Sequence, residues 1–198
     1  MNKISFVLLS ALLISFHLSG AVLSDTVLLK PKPVYGKEAK VIVYLLDNNH
    51  YRKIQMNDSL SSVILDQYVE SLDNNKTYFL ASDIKFFDKY RTKIDDLSRE
   101  EDVTPAYEIY ALFKKRFDER MKYVMEQLIK RDFDFTVNEY YETDRDKEPW
   151  PKSEQELNDI WRKIIKSQAL SLKLAGKKPE DIKESIMTRY ERLIKSMN

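Results

Sequence analysis

TPAYEIYALFKKRFDERMKYVMEQLIK, residues 104 to 130, holds no glycine and a single proline, Pro105. Thr104 offers a capping hydroxyl, and Pro105 suits the first helical position, where its missing N–H is not needed. Tyr107, Tyr110, Ala111, Lys114, Phe117, Met121, Val124, Met125 and Leu128 then recur at the 3.6-residue period. The run predicts one helix ending at Lys130, long enough to cross a whole domain. Only three glycines (Gly20, Gly36 and Gly176) occur in 198 residues, and the six prolines all sit where boundaries are expected. A β protein of this size needs many tight turns, and glycine usually makes them. The chain is therefore mainly α, a multi-helix domain of about six helices with at most one short extended segment near residues 133–143.

Working toward the N-terminus, Glu38 to about Arg52 reads as a first helix through Ala39, Ile42, Leu45 and Leu46. Asp58 is placed to cap a second, with Leu60, Val63, Ile64, Gln67, Tyr68 and Leu72 on its apolar face. Asp73-Asn74-Asn75-Lys76 is a turn-forming cluster. Ser82 can cap a third helix from Asp83 to about Leu97, with Asp83 favourable at the positive end of the dipole. Its stripe is Ile84, Phe87, Tyr90, Arg91 and Ile94.

Working toward the C-terminus, Phe133, Phe135 and Val137 alternate with Asp134, Thr136 and Asn138, the period of a short strand. Asp144 to Lys152, with Pro149-Trp150-Pro151, reads as a loop. Ser153 and Glu156 form a capping box. The helix they open carries Leu157, Ile160, Trp161, Ile164, Ile165, Gln168, Leu172 and Ala175 on one face and stops at Gly176. Pro179 opens a last helix with Ile182, Ile186, Tyr190 and Ile194 at four-residue steps and Leu193 beside them. No internal repeat of 20–50 residues is present.

The first residues read as a targeting segment. Lys3 precedes an apolar run from Ile4 to Leu18, and Ser19-Gly20-Ala21 offers small residues for a signal peptidase. Residues 1–21 are expected to be a signal peptide cleaved near Ala21, and the mature chain to be exported. As an uncleaved anchor the apolar run falls short of the ~20 residues a spanning helix needs, so no stable membrane insertion is expected after cleavage. No cysteine exists to carry a lipid or a disulfide. Residues 22–36, with Lys30-Pro31-Lys32-Pro33, read as an extended lead-in arm, and residues 37–198 as the helical domain. With 33 basic and 32 acidic residues the chain has no bulk pull on nucleic acid.

Candidates for chemistry are few. His50 is the one histidine beyond the leader, and no serine sits in a glycine-flanked elbow beside which it would act. At a helix end, it reads as an ordinary polar residue. Asp144, Asp146 and Glu148 have the spacing that opens a calcium loop, but Pro149 stands where the loop glycine belongs and Gln155 where its final glutamate belongs. A solvated loop is expected there. Arg91, Lys93, Lys114, Lys115, Arg116, Arg120 and Lys122 are interleaved with Asp95, Asp96, Asp118 and Glu119, which predicts a solvated, ion-paired helix surface. No catalytic residue, cofactor site or metal site is assigned.

Two longer segments go beyond composition. One is Ser71-Leu72-Asp73-Asn74-Asn75-Lys76-Thr77-Tyr78-Phe79-Leu80-Ala81-Ser82-Asp83-Ile84. The other runs from Pro149-Trp150 through Glu156-Leu157 and Trp161-Arg162-Lys163 to Leu172, Leu174, Gly176-Lys177, Ile182 and Arg189-Tyr190-Glu191. With Asp132-Phe133-Asp134-Phe135-Thr136 and Asp144-Arg145, they resemble the N-terminal helical domain of the tail-specific proteases, or C-terminal processing peptidases, over roughly Glu38 to Asn198. Asn74-Asn75 departs from the proline that many relatives carry after the aspartate, a local change of turn.

The resemblance implies an exported, periplasmic enzyme in which the helical domain precedes a PDZ domain and a serine–lysine catalytic domain. PDZ domains bind C-terminal tails by strand addition and carboxylate capture, and the lysine serves as base for the serine. Nothing in residues 1–198 matches either domain, so no residue of theirs is carried over. The expected role is a noncatalytic domain whose partners are the PDZ and protease domains of a longer chain or of a homologous protease, and protein substrates or an adaptor. The alternative is a stand-alone periplasmic adaptor or protease-binding module. A domain built to pack on a protease should expose an apolar face; a stand-alone one should not. The expected core anchors are Trp150, Trp161, Phe79, Phe86, Phe87, Phe113 and Phe117.

Overall fold

The structure, a computed structural model, describes residues 29–52 and 54–197. The leader and the cleavage near Ala21 lie outside the described residues. Seven α-helices follow in order: α1 Pro33–Asn49, α2 Asp58–Asp73, α3 Ala81–Phe87, α4 Ile94–Arg99, α5 Thr104–Tyr123, α6 Glu154–Leu174 and α7 Pro179–Met197. A 3₁₀ turn, Asp88–Tyr90, follows α3, and a π-helical turn, Val124–Leu128, extends α5. No strand occurs among the described residues, so the chain is mainly α.

Two apolar clusters meet along α5. In one, Leu65 and Val69 of α2 pack with Phe79, Phe87, Ile109 and Phe113. In the other, Met121, Val124, Leu128 and Ile129 pack against Leu157, Trp161, Ile165 and Ala169 of α6 and Ile182, Ile186 and Tyr190 of α7. Tyr78 touches both, with its ring 5.5 Å from Phe113, 5.7 Å from Phe117 and 5.6 Å from Trp161. Aromatic pairs at such spacings each add about 0.5–1.5 kcal/mol beyond the area they bury. The π turn fits this core: Ile129 N–H bonds the Val124 carbonyl at 3.1 Å, and Val124, Leu128 and Ile129 are all buried.

The α6 and α7 boundaries follow from side-chain chemistry. Ser153 Oγ accepts the Glu156 N–H at 3.2 Å, and Glu156 reaches back to the Lys152 N–H at 2.8 Å. Gly176, at φ +82°, ends α6: its N–H bonds the Lys173 carbonyl while the Lys177 N–H bonds that of Leu172.

Several expectations need correction. α1 begins at Pro33, inside the stretch expected to be an extended arm, because proline fits a first helical turn as well as an extended segment. Its buried positions are Gly36 and Val43, not Ile42 and Leu45, which are exposed. The buried face of α2 is Ser61, Leu65, Val69 and Asp73, one step round from the predicted one. Its N-cap is Asn57, whose side chain accepts the Leu60 N–H at 3.0 Å.

The predicted third helix is two. Ser61 Oγ donates to Asp95 Oδ1 at 2.8 Å and accepts the Asp95 N–H at 2.9 Å, and this buried lock holds the start of α4 on α2. The α3 cap is Asp83, whose carboxylate accepts the Leu80 N–H at 2.9 Å, rather than Ser82. At α5 it is Asp102 that accepts the Thr104 N–H, at 2.8 Å. The buried line of α5 runs through Pro105, Ile109 and Phe113 rather than Tyr107 and Tyr110. Phe86 is half exposed and anchors no core. Near residues 133–143, Asp134 Oδ1 accepts both the N–H and the hydroxyl of Thr136, a local turn in place of a strand ladder. Phe133 and Phe135 still share one side, packed against the α6–α7 core.

Candidate functional site

The chemically densest part of the chain is the turn between α2 and α3. Asp73, 3% exposed, ends α2 and accepts three backbone N–H groups: Thr77 at 2.8 Å on Oδ1, and Tyr78 at 2.8 Å and Phe79 at 2.9 Å on Oδ2. Burial pushes the carboxyl up from its ordinary range, and the three N–H bonds oppose that push. The Thr77 carbonyl accepts the indole N–H of Trp161 at 2.6 Å, so the turn is pinned to the middle of α6. The Ala81 N–H bonds the Pro151 carbonyl at 2.8 Å. Lys76, at φ +53°, aims its ammonium at the carbonyls of Asp146 and Glu148 and lies 5.7 Å from the Trp150 ring.

Lys76 therefore lies against the Asp144–Glu148 loop. Around the Asp144–Glu148 stretch the converging carbonyls hold an ammonium, and no group of three or more acidic, histidine or cysteine side chains able to hold a metal occurs among the described residues. His50 caps the end of α1, where its Nδ1 accepts the Arg52 N–H at 3.2 Å and its ring lies 4.9 Å from Tyr51.

Of the basic residues on α5 and before it, Arg91, Lys114, Lys115, Arg116 and Arg120 form ion pairs, and two of these five are interior. Lys114 is buried and pairs with Asp118 at 2.6 Å; Arg120 is buried and pairs with Glu154 at 2.9 Å. Burial pushes the Arg120 guanidinium down from its ordinary value. Arg116 grips both Asp83 oxygens, at 2.8 and 2.9 Å, and so ties α5 to the cap of α3. Arg91 bridges Asp66 and Asp88, and Lys115 approaches Glu119 at 3.9 Å. These pairs staple helices together. Sequence reading missed the interior ones because charge interleaving looks the same on a solvated face and across a helix seam.

The sequence model for the tail specific protease N-terminal domain matches residues 42–198. The chain belongs to that family. Its similarity extends to the tail-specific protease of Haemophilus influenzae, 35% identical over 153 residues that make up 77% of this chain and 22% of that protein. The chain thus spans about a fifth of the length of that relative. The Asp73 turn, Trp161 and the capped α6 all fall inside the stretch matched to the tail-specific protease N-terminal domain. No helix among the described residues is long and apolar enough to cross a membrane.

Proposed function

We propose that this domain is the noncatalytic front of an exported, periplasmic, serine-type tail-specific protease, and that it packs on the PDZ and protease domains that degrade or trim proteins recognised by their C-terminal tails. The observation that carries the reading is the outer face of α1. Val34, Val41, Ile42, Tyr44 and Leu45 stand out from the domain, with Ile42 58% and Tyr44 62% exposed. They lie on the sides of α1 turned away from Gly36 and Val43, which seat the helix on α4. Apolar exposure concentrated on one helix supports a partner surface rather than a self-contained module. The family match and the much longer relative support a protease as that partner.

An immunoblot of envelope fractions against the helical segment tests this. A native band several-fold above 23.5 kDa is expected, in the periplasmic fraction, with an N-terminus at Val22 if the leader is cut after Ala21. A band close to the mature size of this chain would replace the reading with a stand-alone adaptor, and the next step would be the protease that co-purifies.

A further inference from the structure

A groove of about 1000 Å³ runs along α7 where it faces the turn after α2. Its floor is aromatic: Tyr78, Trp161 and Tyr190, with Trp161 5.6 Å from Tyr78 and 6.0 Å from Tyr190. Its wall carries Arg189 and Arg192, and Glu184 is the one carboxylate among the lining side chains. Elsewhere in the domain Arg91, Arg99, Arg116, Arg120 and Arg162 each pair with a carboxylate, whereas Arg52, Arg131 and Arg145 pair with none among the described residues. Arg189 and Arg192 have no ion-pair partner among the described residues, although both stand in a lined groove rather than on a bare convex surface. The Tyr78 hydroxyl likewise lacks a hydrogen-bond partner there, whereas the Tyr190 hydroxyl is taken by Gln168 Nε2 at 2.9 Å.

We infer that this groove binds an extended polypeptide segment bearing a carboxylate beside an aromatic or apolar side chain. The side chain lies over Tyr78, the partly exposed ring of the floor, which the buried Trp161 and Tyr190 back from beneath. The carboxylate is held by the fork geometry of Arg189 and Arg192, the donor set best matched to it. The Tyr78 hydroxyl supplies a neutral donor from the floor. The groove is too open to enclose a small molecule, since small-ligand sites bury most of their ligand's surface, but it offers a peptide a continuous wall along a helix. Glu184 at one end sets a polarity, so a segment basic at that end and acidic at the other fits better than a uniformly acidic one. The inference stands on this groove alone and does not depend on a catalytic remainder.

Fluorescence anisotropy tests it, with a labelled peptide of repeated Phe-Asp-Leu-Glu and a counterpart carrying lysine for each acid. The acidic peptide is expected to bind the wild-type protein at least about tenfold more tightly than its lysine counterpart, the weight of one or two charge-assisted hydrogen bonds. The Arg189→Glu/Arg192→Glu double variant should reverse that order. Both arginines are exposed and unpaired, so its thermal midpoint should match the wild type. Tyr78→Phe, which removes only the hydroxyl, should weaken acidic-peptide binding about threefold. Equal affinity for the two peptides, binding indifferent to the double substitution, or no binding of the acidic peptide up to millimolar concentration would each overturn the inference.

Discussion

The turn at Asp73 and the seat of α1 solve the same problem, attaching one piece of chain to the rest, with unequal means. At the turn, a buried carboxylate, three backbone N–H groups, an indole and several aromatic rings converge. α1 has the buried Gly36 and Val43 and a rim of polar ties: Lys40 to Glu101 at 3.0 Å, and Asp47 to the Met56 N–H at 2.7 Å and to Arg99 at 3.2 Å. The turn buries its carboxylate and its anchor ring, with Asp73 3% and Phe79 0% exposed. The α1 seat covers one side of a helix and leaves the other apolar and wet. The lesson is that attachment within this domain is graded, and that the weakly held helix is the one whose outer face is apolar.

The largest expected effect comes from breaking the strong attachment. Trp161→Ala removes a 3% exposed ring, its packing against Tyr78 and Tyr190, and the donor to the Thr77 carbonyl. It should destabilise the domain by about 3–5 kcal/mol, read from urea unfolding. A loss below about 1 kcal/mol would show that α6 is held without the turn. Next comes Asp73→Asn, which keeps the shape but turns an amide NH₂ toward backbone donors. About 2–3 kcal/mol should be lost, because buried N–H groups are left without an acceptor.

The same contrast explains what was legible in the sequence. The ends of α6 could be read because Ser153, Glu156 and Gly176 act within a few residues of their own backbone. The aromatic anchors Phe79, Phe87, Phe113, Phe117 and Trp161 could be read because large apolar side chains have few other places to go. The faces of α1 and α2 could not. Each carries apolar residues on more than one side, and the choice is made by polar contacts distant in sequence: Ser61 to Asp95, and Gly36 beneath the Glu101 carbonyl. The start of α4 was hidden for the same reason, since the group that holds it lies 34 residues away, at Ser61. The groove along α7 was illegible because its floor and wall come from three separated segments.

Gly36→Ala probes the weak attachment. A Cβ at residue 36 would run into the backbone carbonyl of Glu101, which is itself fixed at φ +64° where α4 ends. Alanine is the better helix former by about 1 kcal/mol, so α1 as an isolated helix would gain. Seated on α4 it should lose about 1–3 kcal/mol through overpacking. Hydrogen exchange should therefore speed up in α1 and stay unchanged in α5, α6 and α7. Faster exchange across all four helices would mean that α1 is part of one cooperative unit with the core, and the contrast drawn above would fail.

The smallest expected effect sharpens the comparison from the other side, since Glu139, beyond the packed Phe133 and Phe135, ties its segment to α6 by charge. Glu139 accepts from Arg162, at 3.0 Å through Nη1, and from Lys166. These two cations hold its carboxyl down from the usual glutamate range to about 2. A carboxyl depressed on folding adds stability that is complete above its unfolded value near 4.5 and fades as pH falls toward 2. Glu139→Gln should therefore cost about 1 kcal/mol at pH 7, the upper end for a partly exposed pair. That cost should shrink steadily between pH 4.5 and pH 2 in parallel urea titrations of variant and wild type. A difference that persisted undiminished at pH 2 would place the contribution of Glu139 in hydrogen-bonded shape rather than in charge. The segment would then belong with the Asp73 turn, as a locked part of the interior, rather than with α1.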